Sequence, residues 1–191
     1  MCGLDIEIKR LQFANASLTN AYLCAAGGRE IPFPDNSFDL CLCHFLLLWV
    51  KEPLLVVLEM RRVTRPEGAV LALAEPDYGG RIDYPDELTP AGDRQRKSLL
   101  EQGADPLVGR KLRSIFNKAG LKDVETGVLG AQWLKPPTKE EIDLEWEVLQ
   151  HDLQDMINRE ELEIIRSQEY ASWNHSERVL FVPTFYAWGR V

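Results

Sequence analysis

The stretch from Ile31 to Pro76 reads IPFPDNSFDLCLCHFLLLWVKEPLLVVLEMRRVTRPEGAVLALAEP. Pro32 and Pro34 stiffen its start, and Asp35-Asn36-Ser37 form a turn. Phe38 to Cys43, continuously apolar after Asp39, has the pattern of a parallel strand buried on both faces. A helix is expected from near Pro53, a favoured first helical position, carrying Leu54, Leu55 and Leu58. It must end before Pro66, because the residue ahead of a proline is pushed out of the helical region. Ala69 to Ala74 is a further apolar strand. The alternation of strand, helix and strand argues for an α/β sheet covered by helices.

The same alternation extends outward. MCGLDI, residues 1 to 6, reads as the end of a strand, followed by a short helix carrying Ile8, Leu11, Phe13 and Ala14. Asn20 to Ala26 is a second short strand, closed by a turn at Gly27-Gly28. Beyond Pro76, Asp105-Pro106 opens a helix with Leu112, Ile115, Phe116 and Ala119, stopped by Gly120, and Asp123 to Val128 is a strand. Thr138 with Glu141, and Asn158 with Glu161, are start signals for two helices. Val179 to Trp188 reads as one closing strand. Residues 1–191 thus make a single domain, with a helical cap over 138–174 inserted ahead of the last strand.

The Ile31–Pro76 block resembles the methyltransferases related to ubiquinone and menaquinone biosynthesis enzymes, the type 11 family of class I S-adenosylmethionine-dependent methyltransferases. That family's core reads like LPFPDNSFDLV, then REMRRVLKPGG on a helix, then a strand ending in an acidic residue. The resemblance implies a Rossmann-like sheet with flanking helices and S-adenosylmethionine as cofactor. It implies that Asp5, in Gly3-Leu4-Asp5-Ile6, accepts hydrogen bonds from the ribose hydroxyls and that Ile6 packs on the adenine. It places Gly27 and Gly28 beside the adenine, and the backbone at Cys43 and His44 beside the methionine part. The competing reading of Asp5 is a helix N-cap, and that of His44 an imidazole simply hydrogen-bonded at a strand end.

Three departures accompany the resemblance. Gly27 stands where the family has an aspartate that contacts the adenine amine. Glu67 stands in the family's Pro-Gly-Gly turn, and since glutamate disfavours positive φ, another turn type is expected there. The family's first strand and its E/D-x-G-x-G-x-G loop, which precede the second strand, have no counterpart in residues 1–191, as in an N-terminally shortened chain. In the family's sheet that strand lies between the second and fourth. Without it, weak cofactor binding and self-association through exposed strand edges are expected.

Charge and composition narrow the partners. Apolar residues make up 45% and charged residues 27% of the 191, with a net charge of −8. That charge repels a phosphate backbone, and the clusters Arg61-Arg62-Arg65, Arg94-Arg96-Lys97 and Arg110-Lys111-Arg113 each sit among acids in an expected helix, so nucleic acid is not the expected partner. No apolar run approaches the roughly 20 residues of a membrane span. Cys2, Cys24, Cys41 and Cys43 form no C-x-x-C pair and show no metal-ligand spacing, so no metal is expected and a cytoplasmic location is.

A small-molecule substrate is expected, with Trp49, Glu75, Tyr78 and Trp133 as candidate contacts. Core packing is the competing reading for the tryptophans, Trp146 included. No catalytic residue is named, since in-line methyl transfer depends mainly on alignment and needs a base only for a protonated nucleophile. Two other readings stand beside this one. A methyltransferase-like remnant or interaction module would bind no cofactor. A nicotinamide-dinucleotide protein is disfavoured, because no G-x-G-x-x-G is present.

Overall fold

A computed structural model describes residues 1–17, 20–130 and 137–191. Its strands and helices run in the order β1 (Cys2–Asp5), α1 (Ile8–Ser17), β2 (Tyr22–Ala25), β3 (Phe38–Cys43), α2 (Pro53–Val63), β4 (Thr64–Pro76), β5 (Ile82–Tyr84), α3 (Thr89–Glu101), α4 (Leu112–Lys118), β6 (Lys122–Leu129), α5 (Lys139–Leu153), α6 (Arg159–Asn174), β7 (Val179–Phe181) and β8 (Thr184–Arg190). Short 3-10 turns punctuate this order, including Leu47–Trp49 and Tyr78–Gly80.

The strands form three sheets. β1 and β2 pair in parallel, β3-β4-β8-β6 form a mixed four-stranded sheet, and β5 pairs antiparallel with β7. Within the larger sheet β3 and β4 are parallel, whereas β8 runs antiparallel to both β4 and β6. Among the described residues no ladder joins β1 to β3, so β3 has β4 as its neighbour on one side and an open edge on the other.

Period-two alternation sends β3 and β4 side chains to opposite faces. One face carries Cys43, Val70, Ala72 and Ala187, packed under Val56, Val57, Met60 and Val63 of α2 and Leu112, Ile115 and Phe116 of α4. The other carries Leu40, Leu42 and Leu73, which stay 49%, 54% and 42% exposed. The expectation that β3 is buried on both faces is therefore corrected: helices cover one face, and the apolar run reflects a sheet face that lies open.

A small second core joins Leu88 and Ala91 to Trp146, Leu149 and Leu153 of α5 and Ile165 of α6. α5 starts with a full capping box, in which Thr138 N–H donates to Glu141 Oε2 at 2.7 Å and Glu141 N–H to Thr138 Oγ1 at 3.3 Å. Two further expectations need correction. The single closing strand is two, β7 and β8 in different sheets, separated by a segment containing Pro183, which has no N–H for a ladder and whose carbonyl accepts Asp77 N–H at 2.8 Å. Glu67 does adopt positive φ, at 63°, so the Pro66-Glu67-Gly68 turn keeps the left-handed residue that glutamate disfavours.

Candidate active site

Open α/β sheets bind ligands beyond the carboxyl ends of parallel strands. β1 and β2 end side by side, with Asp5 opposite Ala25 and Ala26 N–H donating to the Asp5 carbonyl at 3.2 Å. The turn after β2 then meets the turn after β3. A Cβ added at Gly28 would lie 3.2 Å from Val56 Cγ1 and 3.7 Å from Leu46 Cδ2, an approach that glycine leaves open. Gly28, just past β2, thus packs against Leu46 of the turn after β3 and Val56 of α2, while Asp5 and Ile6 stand at the end of β1, Gly27 and Gly28 beyond β2, and Cys43 and His44 at the end of β3.

Asp5 accepts the Glu7 N–H on Oδ1 at 2.8 Å, a turn just ahead of α1. Among the described residues it has no other hydrogen-bond partner, so Oδ2 is free to accept from a hydroxyl. Ile6 is 82% exposed, and a Cβ at Gly27 would meet nothing within 4 Å. His44 is exposed, with its ring edge-on to Phe45 at 4.7 Å between centroids. Cys43 is buried, and burial first, then the Glu75 charge, push its thiol far above the ordinary range. Burial likewise raises Cys41 to about 11. Neither sulfur is an activated nucleophile.

Phe45 lies at φ 47°, a region costly for a side chain of this size, and its N–H donates to Ala74 O at 2.9 Å. The next three residues converge on one carboxylate. Leu46 and Leu47 N–H donate to Glu75 Oε1 at 2.9 and 3.0 Å, and Leu48 N–H donates to Oε2 at 3.2 Å. Glu75 is fully buried, and burial raises its pKa while the three backbone donors pull it down. Both oxygens of this candidate substrate contact are therefore engaged by the chain itself.

Of the other candidates, Tyr78 is half-buried and holds its place through its N–H to Pro106 O at 2.8 Å. Burial, then the Asp152 charge, raise its phenol to about 12, so it stays protonated at neutral pH. Trp49 is 48% exposed in the turn after β3. Trp133 lies outside the described residues. Trp146 is buried and donates its Nε1–H to Gln150 Oε1 at 2.9 Å.

Sequence reasoning missed a buried charge network beneath α5 and α6. Arg178 donates to both Glu169 oxygens at 2.8 Å and to Asp83 Oδ1 at 2.7 Å, and Arg81 chelates the same Asp83. Beside it is a cavity of about 20 Å³, lined in part by Arg81, Glu145, Trp146 and Trp173, with room for roughly one water. Arg178 and Asp83 are far apart in the chain, so no local spacing betrays the pairing.

The fold is that of the class I S-adenosylmethionine-dependent methyltransferases. A family model described as a methyltransferase domain matches residues 1–72. A demethylmenaquinone methyltransferase of Bacillus licheniformis is 32% identical over 139 residues, covering 64% of this chain and 60% of that one. An uncharacterized methyltransferase of Schizosaccharomyces pombe is 34% identical over 85 residues, or 44% of this chain and 30% of that one. The chain thus spans less than two thirds of these relatives' length. In structure it is similar to Haemonchus contortus phosphoethanolamine N-methyltransferase 2 in complex with S-adenosyl-L-methionine, at TM-score 0.58 and 14% identity, over 99% of this chain and 43% of that one.

The residues fit such a cofactor on one flank. Asp5 offers a free carboxylate oxygen to a diol, and the exposed Ile6 and the open space at Gly27 leave room for a ring. For the opposite flank, no G-x-G-x-G occurs in residues 1–191.

Proposed function

We propose that this chain is an S-adenosylmethionine-dependent methyltransferase domain acting on a small molecule. The observation that carries the reading is the approach of Gly28, just past β2, to Leu46 of the turn after β3, with β2 paired to β1 so that Asp5 stands opposite Ala25. In this reading Asp5 holds the ribose, Ile6 flanks the adenine, and the backbone at Cys43 and His44 runs along the methionine end. The cofactor supplies an activated methyl group, and the chain supplies alignment. The acceptor lies toward Trp49, Tyr78 and the cap formed by α5 and α6. A net charge of −8 argues against nucleic acid as that acceptor. Among the described residues no helix is long and apolar enough to cross a membrane. We place the protein in the cytoplasm, where the unpaired Cys2, Cys24, Cys41 and Cys43 persist as thiols.

With one flank of the cofactor supported, residues 1–191 bind it weakly. Titrating S-adenosylhomocysteine into ¹⁵N-labelled protein tests both points. The amides of residues 5–6 and 43–46 should shift, with saturation far above the micromolar range. In a longer form of the protein that binds the cofactor, Asp5→Ala should weaken binding by about 1.5–3 kcal/mol, the range for a hydrogen bond to a charged group. An unchanged dissociation constant would remove Asp5 from the site. The open edge of β3 favours a second reading, a methyltransferase-like module that binds no cofactor and folds against a partner. Saturable shifts at the strand ends would exclude it.

A further inference from the structure

Glu75 is a buried acid at the end of β4, and its hydrogen-bond partners among the described residues all lie at the end of β3 and in the turn that follows it. We propose that it is a positioning residue, whose carboxylate holds the turn after β3 in the shape that lines the methionine end of the cofactor. The proposal rests on the methyltransferase reading.

Among the described residues no arginine or lysine is bonded to Glu75. Its hydrogen-bond partners are the N–H groups of Leu46, Leu47 and Leu48 and the Cys43 thiol at 4.0 Å. A buried carboxylate without a cation is costly unless hydrogen bonds replace its hydration. Three successive N–H groups can meet one anion only if the chain curls around it, as in the anion-binding nests of backbone loops. The residue entering that curl is Phe45, at φ 47°, directly after the exposed His44. The carboxylate therefore holds the segment that keeps Phe45 in its costly conformation and fixes where His44 and Phe45 project. A neutral side chain of the same size leaves at least one buried N–H facing an amide NH₂ or nothing. The turn then relaxes, and the strain at Phe45 is released with it.

The test uses ¹⁵N-labelled wild type, Glu75→Gln and Asp77→Asn, each titrated with S-adenosylhomocysteine and separately with adenosine, which lacks the methionine part. Asp77 is a nearby buried acid that pairs with Arg110 and does not touch the turn, so it controls for lost stability. Glu75→Gln should keep a dispersed spectrum, exchange the amides of 46–48 faster, and weaken S-adenosylhomocysteine about tenfold while leaving adenosine unchanged. Asp77→Asn should change neither ligand. Glu75→Asp keeps the charge but draws it back from the donors. It should show the same selective loss in smaller measure, so the test survives a Glu75→Gln chain that fails to fold. Equal weakening of both ligands, or no weakening of S-adenosylhomocysteine, overturns the proposal. A wild type that shifts with neither ligand removes the cofactor reading and the role of Glu75 with it.

Discussion

Glu67 is where the local preference of a residue and the demand of the fold disagree most openly. It sits at φ 63° in a four-residue excursion of β4, between the Phe38–Thr64 and Leu40–Ala69 register pairs. The excursion is tight, since a Cβ at Gly68 would lie 2.6 Å from Thr64 Cγ2 and 2.7 Å from the Asp39 carbonyl. The family's glycine fits that conformation freely, whereas a side chain there costs roughly 1–2 kcal/mol. Glu67→Gly should raise unfolding stability by about 1 kcal/mol, the remainder being offset by the extra freedom glycine gives the unfolded chain. Urea denaturation reads this directly, and a loss of stability would mean that Glu67 makes a contact worth more than its strain. The sequence showed the conflict but not its outcome. Whether a turn changes type or accepts strain depends on how firmly its neighbours hold it, and those neighbours come from β3 and the start of β4.

At the scale of elements, what local signals encode was legible and what depends on distant partners was not. Pro53 and Pro66 bracket α2, and Thr138 with Glu141 mark the start of α5, because helix ends are set by residues within one turn. The split of the last strand into β7 and β8 was missed, although Pro183 lies in plain view between them. The division follows from which sheet each half joins, and β7 finds its partner in β5, far away in the chain. Asp5 and Cys43-His44 could be proposed from a resembling motif, but the engagement of Glu75 with Leu46–Leu48 could not, since backbone donors leave no mark in a sequence. Arg178 is the sharpest case. Its side chain is fully buried and ties Glu169 of α6 to Asp83 of β5 and to the Tyr84 carbonyl at 3.2 Å. Arg178→Met would keep much of the volume but leave buried carboxylates short of a cation, which typically costs about 3–5 kcal/mol. The loss should fall on the α5–α6 region, visible as faster amide exchange there than in α2. A uniform loss across the molecule would show instead that the region and the main sheet unfold as one unit.

The largest sheet of the molecule is covered by helices on one side. α2 and α4 close one face of β3-β4-β8-β6, while the opposite face leaves Leu40, Leu42 and Leu73 partly in water, and among the described residues β3 ends the sheet without a ladder to β1. Natural edge strands are blunted by lysine, proline or a bulge, because an open edge invites another strand. Along β3 the one charge is Asp39, already paired with Arg65 at 2.7 Å, so this edge carries little to deter pairing. Edge bonding and burial of leucines on the adjoining face act together, each leucine being worth at most about 1.5–3 kcal/mol when fully buried. We therefore expect concentration-dependent self-association. Leu42→Lys is the discriminating variant, because Leu42 is 54% exposed and contributes little to the core, so the fold should keep its melting temperature. A lysine there would have to be buried unpaired for a second copy to dock on that side, a cost no single leucine repays. Light scattering across a dilution series should show a larger mass for wild type than for Leu42→Lys at equal concentration. If both run as monomers throughout, the open edge is not sticky. If both associate equally, the contact lies elsewhere, and the exposed Ile6, Phe13 and Tyr22 around β1 and α1 become the surface to test.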